Sequence, residues 1–506
     1  MHKENLIWID LTTSLYWKRP AVGIVRVEQE CCRWILTKLK DRVRICAFDS
    51  SEGQFKELEA QEAWEVLRRD RSPPESLINP AAAPTSSRTA EPVSCPAAAP
   101  AAPLGLASHI KQVLRKLVLA TLSRIPLSYQ PAVRSKLIAI RRTLAGSYKD
   151  LKTALVGDPT TPVSEPASLQ AEPSRSPIRP LAHFQQGDTY LTMGLDWDHG
   201  NKLDLLYRAK KRTGLRVLNF AYDIIPVKFP HYYPSGKFEL FSTYFATMGW
   251  TADRIICISE CTARDLGGFL EQVGAPRPSM SVVRLGDTLP ATMNSGKPSP
   301  KVAELLGAPF LLAVSTIEIR KNHECLYRAY IRLIESGFDV PKLVLVGMLG
   351  WRVDDFIYSL RNDPRVEDKI VILDQVTDAD LVTLYRHCLF TLYPSLYEGW
   401  GLPVAESLAY GKFCLASNAA SIPEIAGDIL DYVDPWDVPQ WTEKIRLYCA
   451  DPAALRSKEQ LIANHYRLSS WENTADQVIA AIDNVPHAYR SGLIKAHTAP
   501  RAALVS

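Results

Sequence analysis

The chain has 506 residues, 46% of them hydrophobic and 23% charged, with a net charge of only +4. A length of this order holds two or three domains of roughly 100–200 residues each, and the composition excludes fibrous and wholly disordered classes. No uncharged apolar run approaches the ~18–20 residues of a spanning helix.

The N-terminal stretch "MHKENLIWIDLTTSLYW" lacks the pattern of a secretory leader: its apolar part is only "LIWI", and Asp10 follows at once. Residues 5–11 read as a first buried strand. "VGIVRVEQECCRWILTKLK" reads as a helix, because Val27, Cys31, Ile35 and Leu39 recur at steps of four. "RVRICAFD" reads as a second strand, so the chain begins with a strand–helix–strand unit. Cys257, Cys388 and Cys414 lie in apolar runs and read as buried thiols. The ten cysteines form no disulfide or zinc pattern, and a reducing cytosol is expected.

Beyond residue 71 the character changes. Pro/Ala/Ser-rich stretches read as linkers at 71–180 and bracket a basic segment. Between Gly105 and Gly157, ten Lys/Arg stand against one acid, Asp150, giving that segment +9 and the rest of the chain −5. Two apolar stripes run through it at helical spacing, with the basic residues mostly off them. Two amphipathic basic helices suit an anionic membrane surface, here the inner face of the plasma membrane. Packing on the protein's own body or on a partner chain is the other reading. Nucleic acid fits less well, because aromatics are nearly absent.

From "GDTYLTMGLDWD" the alternating pattern resumes. "GLRVLNFAYDIIP", "ADRIICISE" and "MSVVRLG" complete one series. "PFLLAVSTIE", "PKLVLVGMLGW", "KIVILDQV" and "CLFTLYP" begin a second. The expected fold is α/β: two doubly wound Rossmann-like domains facing across a cleft. The first takes 1–70 plus 181–297 and the second 298–470. A helix at 471–490 packs back on the first domain, and 491–506 is a disordered tail. Ligands of such sheets bind at the carboxyl ends of the strands.

Within "SLYEGWGLPVAESLAYG", Glu398 falls in a loop after an apparent strand, and Glu406 falls inside a helix begun by Pro403 and stopped by Gly411. The two carboxylates are therefore no i, i+4 pair. They read as acceptors for a polyhydroxy ligand, beside backbone N–H groups at a helix start. In "STIEIRKNHE", Arg320 and Lys321 follow a strand and would face a phosphate in the cleft. "DWD" (196–198) matches a D-x-D metal pattern, but a metal-dependent single-domain enzyme leaves 398–406 unexplained, so no metal site is expected. "GMLG" is no dinucleotide fingerprint. His323 and His387 read as helix-surface residues.

"STIEIRKNH", "LVLVGMLGW" and "EGWGLPVAESLAYGKFCLASNAASIPEIAG" together resemble the family 4 retaining glycosyltransferases, with their GT-B fold and E-x7-E motif. "IDLTTSLYWKRPAVGIVRVEQE" and "YDIIPVKFP" resemble the N-terminal half of bacterial members that assemble cell-surface polysaccharides. The resemblance covers roughly residues 1–70 and 181–485. It implies that Glu398 contacts donor-sugar hydroxyls, with Gly401, Leu402 and Pro403 offering backbone contacts. Glu406 would hold the ribose, and Arg320 and Lys321 would neutralise the diphosphate without a metal. Gly23 would let the first-domain loop approach the diphosphate, and the base would lie by Leu373–Val376, next to Gln375 and Val376. Gly347 also falls to the donor site. Asp223 would orient the sugar or the acceptor hydroxyl, or merely cap its loop before Pro226. Tyr222 stands where many members carry a histidine, which leaves the catalytic role of that loop open. Trp197 and Tyr222 are the acceptor candidates. The implied activity is transfer of a sugar, mannose from GDP-mannose first, to a lipid-linked glycan such as O-antigen. A same-fold epimerase or hydrolase, or a glycan-binding scaffold without turnover, are the alternatives.

Overall fold

The computed structural model describes residues 5–18, 21–68, 179–289 and 298–484. The expected linkers and basic helices at 71–180, apart from residues 179 and 180, and the tail at 491–506 lie outside the described residues.

Two sheets organise the chain, and both belong to one compact unit. The first comprises β1 (Ile7–Asp10), β2 (Val43–Asp49), β3 (Gln54–Leu58), β4 (Thr189–Thr192), β5 (Arg216–Ala221), β6 (Arg254–Cys257) and β7 (Ser279–Val282), in the order β3-β2-β1-β4-β5-β6-β7. Its strands are parallel except for β3, which pairs antiparallel with β2 at the edge. The second comprises β8 (Phe310–Val314), β9 (Lys342–Val346), β10 (Ile370–Leu373), β11 (Thr391–Tyr393), β12 (Cys414–Ser417) and β13 (Tyr432–Val433), all parallel, in the order β10-β9-β8-β11-β12-β13.

The strands are short and apolar because helices cover both faces of each sheet. All four residues of β1, "IWID", are buried, Asp10 included. The Ile24–Leu39 helix buries Val27, Cys31 and Ile35 on its apolar stripe, but it also buries Arg26, Glu28, Gln29 and Glu30. A helix buried on more than one side has more than one neighbour. One neighbour is the last described helix, Trp471–Asp483, which lies in the same apolar cluster through Trp471, Ala475 and Val478; Arg26 and Glu28 are buried elsewhere, against Glu406 and the Ser14 N–H. Lys38 joins the two helices at their surface, 2.9 Å from Glu472 and 2.6 Å from Asp476.

The chain passes between the domains twice, and the two passages are stitched together. Buried Asp287 accepts hydrogen bonds from the Ser469 N–H (2.8 Å), the Tyr466 hydroxyl (2.9 Å) and Arg284 (3.1 Å). Trp471 Nε1 donates to the Thr288 carbonyl at 2.9 Å. A Cβ on Gly286 would lie 2.6 Å from the Trp471 ring, so only glycine lets the passages come this close.

Candidate active site

In the second sheet the strand order reverses between β8 and β11, with β9 and β10 on one side and β12 and β13 on the other. Loops that leave the carboxyl ends of two such strands diverge and open a crevice. The β8 loop carries Glu318, Arg320 and Lys321. The β11 loop carries Glu398 and leads into the Leu402–Ala409 helix, which starts at Gly401 with Pro403 in its first turn. Topology therefore brings together two motifs that lie far apart in sequence.

Their contacts are ionic and mostly buried. Arg320 Nη1 donates to Glu398 Oε2 at 2.7 Å and to the Tyr397 carbonyl at 3.1 Å. Its Nε lies 2.9 Å from Glu318. Lys321 Nζ donates to Glu398 Oε1 at 2.5 Å, and the Tyr393 hydroxyl donates to the same oxygen at 3.0 Å. Burial pushes the Glu398 carboxyl up, but Arg320 and Lys321 outweigh it and hold it down at about 2. Burial lowers the Lys321 ammonium, and neighbouring Arg320 lowers it further. The result is a preformed pair of cations set against one carboxylate.

The first domain closes over this pair. The Tyr222–Asp223 backbone meets Gly399 so closely that a Cβ there would fall 1.9 Å from the Tyr222 carbonyl oxygen. Thr262, at the start of the Glu260–Gln272 helix, donates its hydroxyl to that carbonyl at 3.1 Å. Glu424 of the second domain caps the same helix, accepting from the Glu260 and Cys261 N–H groups at 2.8 Å each. A carboxylate at a helix start is stabilised by the helix dipole. Asp223 accepts from Ile225 N–H at 2.9 Å, which is a loop-capping contact, yet it also lies within the field of Arg320, Lys321 and Glu398. Burial raises its carboxyl above the ordinary value, against the pull of Arg320.

Glu406 is buried on the Leu402–Ala409 helix, and both its oxygens have partners. Arg26 Nη1, from the first domain, donates to Oε1 at 3.0 Å, and the Tyr385 hydroxyl donates to Oε2 at 2.9 Å. Arg26 also lies 3.3 Å from Asp378. Gly23 stands one turn ahead of Arg26 with φ +52°, a conformation that favours glycine, at the start of the Ile24–Leu39 helix. Gly347 ends β9 against the Ser315 carbonyl. Gln375 is exposed and Val376 half-buried in the loop after β10.

Some expectations need correction. Tyr222 does not present its ring as an acceptor platform: the ring is buried in the core, and its hydroxyl donates to the Met193 carbonyl at 2.5 Å. Trp197 packs on Phe241 and Tyr244, at ring-centroid distances of 5.3 and 5.7 Å, which explains its half-burial without a sugar. Asp196 is engaged by Lys202. His323 is buried rather than exposed, with Nε2 3.2 Å from the Ser315 hydroxyl and its ring stacked on Phe356. His387 is exposed, as expected. The sequence reading passed over Glu318, Tyr393, Tyr385, Asp378 and Arg26. The signal for Arg26 was its place one turn after Gly23; its partner Glu406 lies 380 residues further on.

Residues 298–467 match the family described as glycosyl transferases group 1. That match spans about a third of the chain and coincides with the second domain. Among curated relatives, the chain is 28% identical over 284 residues to O-antigen chain mannosyltransferase B of Escherichia coli, covering 56% of this chain and 73% of that one. It is 30% identical over 208 residues to the serotype-specific mannosyltransferase WbdA of Escherichia coli, covering 39% of this chain but only 25% of WbdA. The crystal structure of Anabaena HepE in complex with UDP aligns with a TM-score of 0.50 at 11% identity, over 95% of this chain and 100% of that one, a likeness of fold alone. That fold is GT-B.

Proposed function

We propose that this glycosyltransferase is a retaining, metal-independent mannosyltransferase that moves mannose from GDP-mannose to a growing, lipid-linked cell-surface glycan such as O-antigen. The observation that carries the reading is the Arg320–Glu398–Lys321 constellation at the switch point of the second sheet. The two mannosyltransferase relatives supply the sugar and the kind of acceptor.

In this reading the donor diphosphate lies against Arg320 and Lys321. As the glycosidic bond breaks, charge accumulates on the leaving phosphate, and preorganised cations stabilise it by on the order of 3–4 kcal/mol each. Glu398 keeps both cations aimed. A carboxylate offers about four acceptor positions, and three are taken by Arg320, Lys321 and Tyr393. In this reading a donor-sugar hydroxyl takes up a further acceptor position. Asp223 faces the same point from the first domain. The acceptor enters from that side; its hydroxyl oxygen bonds to the anomeric carbon on the face the diphosphate leaves, and its proton passes to the departing phosphate oxygen.

The enzyme works on the cytoplasmic side of the plasma membrane, held there peripherally, with 105–157 as the contact. Among the described residues no helix is long and apolar enough to cross a membrane. Deleting 72–180 is expected to abolish binding to anionic liposomes; unchanged binding sinks that part of the reading.

Purified enzyme, GDP-mannose and a mannosyl acceptor test the rest. The expected product keeps the donor's anomeric configuration and forms equally in EDTA. Nucleotide release that ignores the acceptor indicates a hydrolase. No response to any GDP-, UDP- or ADP-sugar indicates a scaffold.

A further inference from the structure

Glu406 receives a cation from the other domain. Arg26 sits in the first turn of the Ile24–Leu39 helix, and its side chain is 6% exposed. One arm of its guanidinium reaches Glu406 Oε1 at 3.0 Å, and the other reaches the Asp378 carboxylate at 3.3 and 3.4 Å. The two acids lie on separate elements of the second domain: Asp378 opens the Asp378–His387 helix, and Glu406 lies inside Leu402–Ala409. A guanidinium presents its donors in a fixed planar fork, so its two arms hold the two acceptors in a set relative geometry.

The Arg26 contact leaves Glu406 able to bind. Of about four acceptor positions on a carboxylate, Arg26 and Tyr385 occupy two. Two remain, the number a vicinal diol requires. Without Arg26 the carboxylate would be buried beside Asp378 with no cation to offset that neighbour. Burial raises the Glu406 carboxyl above its ordinary value, and Arg26 is the largest influence opposing that rise.

We propose that Arg26 is a positioning residue for Glu406, so that recognition of the donor's ribose is complete only when the first domain is docked on the second. This rests on the reading of Glu406 as the ribose acceptor. Docking of the domains and binding of the nucleotide are then one linked equilibrium, and each favours the other by the same factor.

Titration calorimetry with GDP and 2′,3′-dideoxy-GDP separates the possibilities. Wild type is expected to prefer GDP on the order of tenfold, and Arg26→Ala to lose that preference while binding dideoxy-GDP as wild type does. Arg26→Lys should recover part of the preference. Asp378→Asn should keep most of it, because the Arg26–Glu406 bond survives. In turnover, Arg26→Ala raises the donor KM more than it lowers kcat. Equal weakening toward both ligands overturns the proposal and makes Arg26 a phosphate contact or a fold support. Tighter GDP binding by Arg26→Ala overturns it in the other direction and makes Arg26 a competitor for Glu406. Glu406→Gln is the control for the underlying reading. If that variant still prefers GDP tenfold, Glu406 is not the ribose acceptor. If the preference vanishes there but survives in Arg26→Ala, only the role of Arg26 fails.

Discussion

Each sheet places an ionic cluster at the carboxyl ends of the strands beside its switch point, and the two clusters are built differently. In the first domain, Lys202 lies 2.7 Å from Asp10, the last residue of β1, and 2.5 Å from Asp196, just beyond β4. All three side chains are at most 2% exposed. Tyr190 donates to Asp10, and Thr192 and Asn219 donate to Asp196. Burial disfavours the Lys202 ammonium, but Asp10 and Asp196 together hold it above its ordinary value. In the second domain, Arg320 and Lys321 remain 16% and 11% exposed, and the cluster borders the junction with the first domain. The first cluster is sealed by its own partners. The second faces a crevice with its cations at the rim. The same topological position thus holds a structural plug in one sheet and, in the other, the cations of the proposed reaction site. The difference lies in whether the charges are satisfied from all sides.

The largest effect should come from opening the sealed cluster. Lys202→Met leaves two carboxylates buried without their cation, which costs about 3–5 kcal/mol in stability. Urea unfolding measures this, and a loss below 1 kcal/mol breaks the contrast. Arg320→Ala should do the opposite: a fall of about 10²–10³ in kcat, with a far smaller change in unfolding. If Arg320→Ala unfolds the protein as readily as Lys202→Met, the second cluster is structural too. Gly399→Ala should come next, because its methyl group would collide with the Tyr222 carbonyl. Overpacking of this kind costs about 1–3 kcal/mol, and it should appear in kcat rather than in stability, since the collision exists only while the domains touch.

Glu398 also makes the second cluster sensitive to acid. Its carboxyl is depressed from 4.5 to about 2, so the charged form stabilises the folded state. That contribution is complete above about 4.5 and is lost as the pH falls through about 2. The stability gap between wild type and Glu398→Gln should therefore narrow on acidification across this window. The smallest effect is expected at Trp197. Because its ring packs on Phe241 and Tyr244, Trp197→Phe should leave acceptor KM within about twofold, the scatter of a packing-neutral change. A tenfold rise would restore Trp197 to the acceptor site.

Much of the fold was legible because strands buried on both faces read as near-continuous apolar runs. "FLLAV" and "KLVLV" became β8 and β9. Three strands were missed. β3, "QFKEL", is a mixed edge strand, β12, "CLAS", hides directly behind the motif helix, and β13 has only two residues. Arg320, Lys321 and Glu398 were legible as chemistry, since their residue types and loop positions were visible. Their mutual ion pairs were not, because those depend on β8 and β11 being neighbours. Periodicity located the buried face of the Ile24–Leu39 helix but not its second one, where Arg26 is buried by an acid 380 residues away. His323 failed for the same reason: its burial comes from Phe356 and Ser315, which no local pattern reports.

The two stitched passages around Asp287 and Trp471 have a mechanical consequence. A single covalent passage would act as a swivel, free to turn in every direction. Two passages bonded side by side act as a door hinge, with one axis of rotation. Any swing of the first domain away from the second would then follow a single arc, and a return along it would bring the same residues into register. The close approach of Gly399 to the Tyr222 carbonyl, and the aim of a guanidinium at two carboxylates, would both depend on that restriction.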